Sequence, residues 1–264
     1  PHVALQVPDD DLKPYLDLNW TDPPFTAAQG GYTPHFTPRA AYAAMISRMD
    51  SDVGALLQQL RDLDLDKNTI VIFSSDNGAT HLEQEVDFEF FNSVGELRGL
   101  KGSLYEGGIR VPAIVRWPDH IPAGATSDFV CGLEDWMPTL LEAVGAKERV
   151  PESTDGISLL PTLTGGIQPE REFLYREFPG YGGQQSIRAG HWKAIRQNMN
   201  QGELKVQLYD LATDPSEQHD LADSTPDVVN QLTALMSEQH EPSALFPLRP
   251  FDAPAIQQKA RRKP

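Results

Sequence analysis

Between Met45 and Phe73 the chain switches hydrophobic period, and this switch limits the fold more than any other feature of its 264 residues. Met45, Met49, Val53, Leu56, Leu60 and Leu63 recur at helical spacing, which predicts an amphipathic helix. Arg48, Asp50, Asp52, Arg61 and Asp62 fill the other face, so the apolar stripe is expected to be core and its methionines packing. Asp66-Lys67-Asn68 then reads as a turn into Thr69-Ile70-Val71-Ile72-Phe73. A short, continuous, β-branched run of this kind predicts a buried parallel strand. Helix, turn and strand make half of an α/β unit. The strand ends in Ser74-Ser75-Asp76-Asn77-Gly78, and open α/β sheets take ligands beyond the carboxyl ends of their strands.

Upstream, residues 1–40 are rich in Pro, Gly, Thr and aromatics and read as a long irregular segment. Downstream, Ala113 to Trp117 predicts a second strand stopped by Pro118. Asp135 is placed to cap a helix that turns Trp136, Leu140, Leu141 and Val144 inward and ends at Gly145. After about residue 167 short strands follow one another at 173–175, 186–188, 192–195 and 206–209, which predicts an antiparallel sheet. A helix near 226–240 follows, with Val228, Val229, Leu232, Leu235 and Met236 on one face. The Gly165-Gly166 pair marks the expected boundary between these two regions.

The charge balance narrows the partners. Lys and Arg number 22 against 38 Asp and Glu, a net charge of −16, which argues against a nucleic-acid backbone or an anionic membrane surface. An anion in a locally basic pocket stays compatible. No apolar run approaches the roughly 18 residues of a membrane helix. The basic cluster Lys259, Arg261, Arg262 and Lys263 reads as a solvated tail. The single cysteine, Cys131, excludes an internal disulfide and reads as a small buried hydrophobe. The chain opens on Pro1 rather than Met, as expected for part of a longer protein or one with its leader removed.

Asp76 and Asn77 offer a carboxylate and an amide oxygen side by side, the hard donors that calcium or magnesium prefers. Read alone, the tripeptide is equally an Asp-Asn-Gly turn. Lys101 sits in Arg98-Gly99-Leu100-Lys101-Gly102-Ser103, where flanking glycines let backbone approach a ligand and the ammonium can meet an anion. Glu106 and Arg110 stand at ion-pair spacing around Gly107-Gly108. The histidines show no zinc-ligand spacing, and no Gly-x-Ser-x-Gly elbow is present.

Taken in order, Tyr42 through Gly78, Leu97 through Pro118, Asp155-Gly156-Ile157-Ser158-Leu159-Leu160-Pro161, and Leu208-Tyr209-Asp210-Leu211 with Asp214-Pro215 and Glu217 resemble the arylsulfatase-like branch of the sulfatase family. The resemblance implies an α/β fold: part of an alkaline-phosphatase-like α/β sandwich over 1–166, with a smaller C-terminal α+β subdomain, antiparallel sheet plus helix, over 167–264. It implies that Asp76 and Asn77 help bind one calcium ion, that Lys101 contacts the sulfate ester, and that His2, in a Pro-His…Leu-Gln-x-Pro segment, contacts the sulfate and the leaving-group side. The implied partner is a sulfated small molecule or sulfated glycan, chosen by loop residues such as those from His81 through Phe91. It also favours a periplasmic or secreted location.

The family's nucleophile is a formylglycine made within a Cys-x-Pro-x-Arg or Ser-x-Pro-x-Arg motif, and these 264 residues contain neither. The expectation is therefore the C-terminal portion of a sulfatase, inactive by itself. Two alternatives stand beside it. One is a phosphate or phosphonate ester hydrolase of the same superfamily, although dinuclear relatives commonly carry Asp-His where this chain has Asp76-Asn77. The other is a non-catalytic remnant or binding module.

Overall fold

The computed structural model describes residues 1–22, 32–33, 35–82, 86–249 and 251–252. The basic cluster at 259–263 and much of the expected irregular segment, 23–31, lie outside the described residues. The chain divides into two compact units. The first is Pro1–Ser74 with Ala79–Gly95 and Ala113–His120, and the second is Ser75–Gly78 with Glu96–Pro112 and Ile121–Pro264. The expected boundary at 166 therefore falls inside the second unit.

In the first unit, α1 (Asp9–Leu16) forms where the sequence suggested irregular chain. Asp9, Asp10 and Asp11 occupy its first turn, where carboxylates complement the helix dipole. The long helix α2 (Pro38–Asp62) starts with Pro at N1, a position whose missing N–H costs nothing. Its buried residues are Pro38, Ala40, Ala41 and Ala44. Val3, Leu5, Ala41 and Val86 form the core of the unit, with Leu12, Tyr42, Met45 and Leu82 packed against it. The expected core stripe is thus corrected: only its N-terminal member Met45 packs there, whereas Met49, Leu56 and Leu63 are exposed. The physical reason is that the small alanines of the first turns let the backbone approach the 1–12 segment, and the helix then runs on past that core. Arg48 Nη1 donates to Asp11 at 3.0 Å, tying α1 to α2. Trp20, Phe90 and Phe91 meet edge to face nearby and Tyr42 lies tilted against Phe91, so the described part of the His81–Phe91 segment is partly a packing element.

The 3₁₀ turn Asp66–Asn68 leads into β1 (Val71–Ser74), as the spacing suggests. Its partner is β2 (Ala113–Arg116), and here the expectation is corrected. The pair is antiparallel, with Val71 opposite Arg116 and Ser74 opposite Ala113, and β1 is half-buried along its length. Continuous apolar character fixes a strand but not the direction of its neighbour. Arg116 closes the pairing onto Asp66 at 2.7 Å.

In the second unit, α3 (Glu106–Ile109) is a single turn. Helix α4 (Trp136–Ala143) ends at Gly145, which takes φ +72°. Asp135 lies at the entry of α4 but caps nothing in it. Its fully buried carboxylate instead accepts from the N–H groups of Gly132 (2.7 Å) and Ile157 (2.8 Å) and pairs with Arg171. Leu140 and Val144 are exposed, and the buried residues of α4 are Pro138 and Thr139. A second short helix, α5 (Leu160–Thr164), ends at Gly165 in the left-handed region.

The antiparallel sheet follows as expected: β3 (Leu174–Phe178), β4 (Gln184–Ala189), β5 (Trp192–Arg196) and β6 (Gln207–Asp210) in sequential order. Alternate residues of a strand face opposite sides. One side carries Ile187, Ala194 and Leu208, which join Val206 and, from α6 (Pro226–Gln239), Leu232 and Met236 in the core. The other side carries Lys193, Ile195 and Tyr209, and Ile195 and Tyr209 pack against Leu104 and Tyr105. The sheet thus divides a helix from the loop that holds Lys101.

Candidate functional site

Three of the four sequence-predicted residues, Asp76, Asn77 and Lys101, belong to the second unit. Backbone stacking brings their segments together. The N–H of Gly78 donates to the carbonyl of Gly108 at 2.9 Å, and the N–H of Gly107 donates to that of Arg98 at 2.7 Å. A Cβ on Gly78 would stand 1.9 Å from the Gly107 oxygen, and one on Gly107 2.2 Å from the Gly99 oxygen. The Ser75–Gly78 turn therefore rests on Gly107-Gly108, which rests in turn on the Lys101 loop. Only glycine permits such approach.

Asp76 is exposed, and Asn77 is half-buried with its Nδ2 donating to the Gly78 carbonyl at 3.0 Å. Ser75 Oγ donates to the Asn77 carbonyl at 2.8 Å, which shapes the turn. Lys101 is half-buried between Gly99 at φ +83° and Gly102 at φ +91°. His2, the fourth residue, is exposed in the first unit, where its ring meets Tyr32 edge-on at 5.6 Å.

The Lys101 loop is held from the sheet by groups the sequence analysis missed. Buried Gln184 donates from Nε2 to the Gly102 carbonyl at 2.6 Å and accepts from the Leu104 N–H at 3.1 Å. Lys193 Nζ lies 2.8 Å from Glu106 and 2.8 Å from Glu217, and all three side chains are buried. Arg188 approaches the other Glu106 oxygen at 3.7 Å, so Glu106 pairs with strand cations and not with Arg110, which is exposed. Glu217 Oε2 also accepts from the Glu106 N–H at 2.7 Å. Burial pushes the Glu217 carboxyl above its ordinary range despite the nearby lysine. Arg98 donates to the Glu217 carbonyl at 2.8 Å and to Tyr209 Oη at 3.1 Å, and lies over the Tyr105 ring. Glu217 itself holds φ +52°, in the left-handed region. The available sequence signal was Lys193 within the Trp192–Ile195 run, on the face of the strand opposite Ala194.

Cys131 is corrected from buried to exposed. Desolvation on its inner side, with Asp135 and Glu134 nearby, still raises the thiol above its ordinary value. The described residues contain no group of three or more His, Cys, Asp or Glu placed to hold a metal. They contain no helix long and apolar enough to cross a membrane.

The molecule is thus an α/β protein whose strand-end turn and glycine-flanked lysine share one backbone stack. It belongs to the sulfatase family: the profile described as Sulfatase matches residues 9–146, and that of N-sulphoglucosamine sulphohydrolase, C-terminal, matches 100–242. Arylsulfatase A of Homo sapiens is 33% identical over 223 residues, covering 75% of this chain and 43% of that protein. N-acetylgalactosamine-6-O-sulfatase of Bacteroides thetaiotaomicron is 31% identical over 210 residues, covering 73% of this chain and 40% of that protein. The crystal structure of Ps i-CgsB in complex with k-i-k-neocarrahexaose superposes with a TM-score of 0.72 at 26% identity, covering 100% of this chain and 53% of that one. The chain spans under half the length of these curated relatives.

Proposed function

We propose that this chain supplies the sulfate-holding part of a sulfuric ester hydrolase acting on a sulfated small molecule or glycan. The observation that carries the reading is the stack that sets the Asp76-Asn77 turn and the Lys101 loop on the same glycine pair. Lys101 would hold the sulfuryl oxygens. At about 4 Å and a protein-like effective dielectric, the attraction is about 4 kcal/mol before desolvation. His2 would orient or protonate the leaving oxygen.

Asp76 and Asn77 fit calcium in kind, as a carboxylate and an amide oxygen with Asp76 open to solvent. They fit as part of a larger ligand set, since calcium takes about 6–8 oxygens. Calcium held there would stabilise negative charge on the sulfuryl oxygens. In this reading the formylglycine nucleophile is supplied from outside these 264 residues, and the chain alone turns over no ester.

Titration of the chain with inorganic sulfate and inorganic phosphate, each with and without calcium, tests the reading. The expected result is sulfate binding that Lys101→Ala abolishes and that calcium strengthens, with Asp76→Asn removing the calcium effect. Tighter binding of phosphate, or a Lys101→Ala variant that binds sulfate like the parent, would overturn it.

A further inference from the structure

The β3–β4 connection, Pro179-Gly180-Tyr181-Gly182-Gly183, lies against the Lys101 loop. A Cβ on Gly102, the residue after Lys101, would stand 2.9 Å from the Tyr181 ring. Phe178 backs that ring at 5.7 Å, and Phe178 itself packs on the cluster that includes Leu104 and Tyr105. Tyr181 is nevertheless 60% exposed, held at φ +48° by a hairpin that Gln184 anchors. Beside it opens a groove of about 470 Å³ formed by Pro179, Gly180, Asn200, Leu245, Phe246, Pro247 and Arg249. Phe246 is 72% exposed, and the N–H groups of Leu245 and Phe246 both donate to Ser243 Oγ, which fixes the turn that presents it.

We propose that Tyr181 and the Phe246–Arg249 groove form the subsite for the sugar ring of a sulfated saccharide. This rests on the reading of Lys101 as the sulfate-holding residue. Aromatic faces offer flat apolar area with little conformational freedom to lose, and the C–H face of a pyranose is its complement. A few placed polar groups fix orientation in ligand pockets. Here they are the side chains of Asn200 and Arg249, beside the apolar Leu245, Phe246 and Pro247, and Arg249 is the one charged residue among the described residues that line the groove. On a chain of net charge −16, a wall whose described residues carry a guanidinium and no carboxylate suits an anionic ligand. The arginine fork can meet a carboxylate or a second sulfate with two parallel hydrogen bonds.

Calorimetric titration of the full chain with N-acetylgalactosamine 6-sulfate, its unsulfated parent and inorganic sulfate tests the subsite. The sulfated sugar is expected to bind about tenfold more tightly than inorganic sulfate. Tyr181→Ala and Phe246→Ala are expected to remove that advantage and leave inorganic sulfate binding unchanged, while Tyr181→Phe keeps it. Lys101→Ala is expected to weaken both sulfated ligands equally. Sugar binding unchanged in Tyr181→Ala and Phe246→Ala, with sulfate binding still dependent on Lys101, overturns the subsite alone. Binding of both sugars that needs Tyr181 but not Lys101 supports the subsite and overturns the sulfate reading. Absence of binding by all three probes overturns both.

Discussion

Lys193 and Glu217 meet at 2.8 Å with both side chains almost sealed from water. Glu106 completes the group, and through it the pair fixes the turn that carries Gly107 and Gly108. Replacing the lysine leaves two buried carboxylates facing each other. Lys193→Met is expected to cost about 3–5 kcal/mol, read from urea denaturation at neutral pH.

Glu217 also predicts a pH dependence with a definite sign. Its folded-state carboxyl titrates above its ordinary 4.5, so the folded chain keeps a proton that the unfolded chain has lost. That contribution is full below 4.5 and declines as pH rises through the higher folded value. Glu217→Gln cannot titrate there. The stability of the parent minus that of the variant should fall as pH rises across this window, and a flat difference would refute the assignment.

Asp66 gives the opposite sign. The hydrogen bond from Arg116 holds its carboxyl below its ordinary 3.8. The stabilisation is present above 3.8 and is lost as pH falls through the lower folded value. Asp66→Asn should therefore converge with the parent in acid and differ from it at neutral pH, in denaturation midpoints taken across that range.

Glycine substitutions separate close approach from mere flexibility. A Cβ on Gly78 would stand 1.9 Å from a backbone oxygen, whereas one on Gly54, in the middle of α2, would meet nothing within 4 Å. Gly54→Ala is expected to stabilise the chain by about 1 kcal/mol through helix propensity. Gly78→Ala is expected to cost about 3 kcal/mol, since backbone rather than a side chain must shift. Thermal unfolding of both variants provides the check.

Cys131 is exposed but carries a raised thiol pKa, with desolvation the largest cause. Only the thiolate attacks alkylating agents. Iodoacetamide should modify Cys131 more slowly than free cysteine at mildly alkaline pH, and equal rates would contradict the raised value.

Local pattern made much of the second unit legible. Residues near 174–178, 184–189, 192–196 and 207–210 alternate between the two faces of a sheet, and Leu232 and Met236 follow the helical period that packs α6 on one of them. Strand pairing direction was not legible, because the run at Val71 to Phe73 is equally apolar whatever lies beside it. Helix α1 was hidden by Pro8 and Pro14, although its acidic first turn was a usable sign. For the candidate site, Asp76 and Asn77 stood out as paired oxygen donors beyond a strand end, and Lys101 stood out because glycines flank its segment. Gln184, Lys193 and Glu217 act on that loop from 80 or more residues away, and no local period encodes such a meeting.

The grip of Gln184 on the Gly102 carbonyl spans 82 positions of the chain. A ribosome adds about 5–20 residues per second, so the lysine loop emerges about 4–16 s before the glutamine that holds it. Among the residues of the second unit, the backbone around Lys101 is thus early in synthesis and late in setting. Its final shape waits on translation of the sheet, and a pause between the codons for Gly102 and Gln184 prolongs the interval in which it is unanchored.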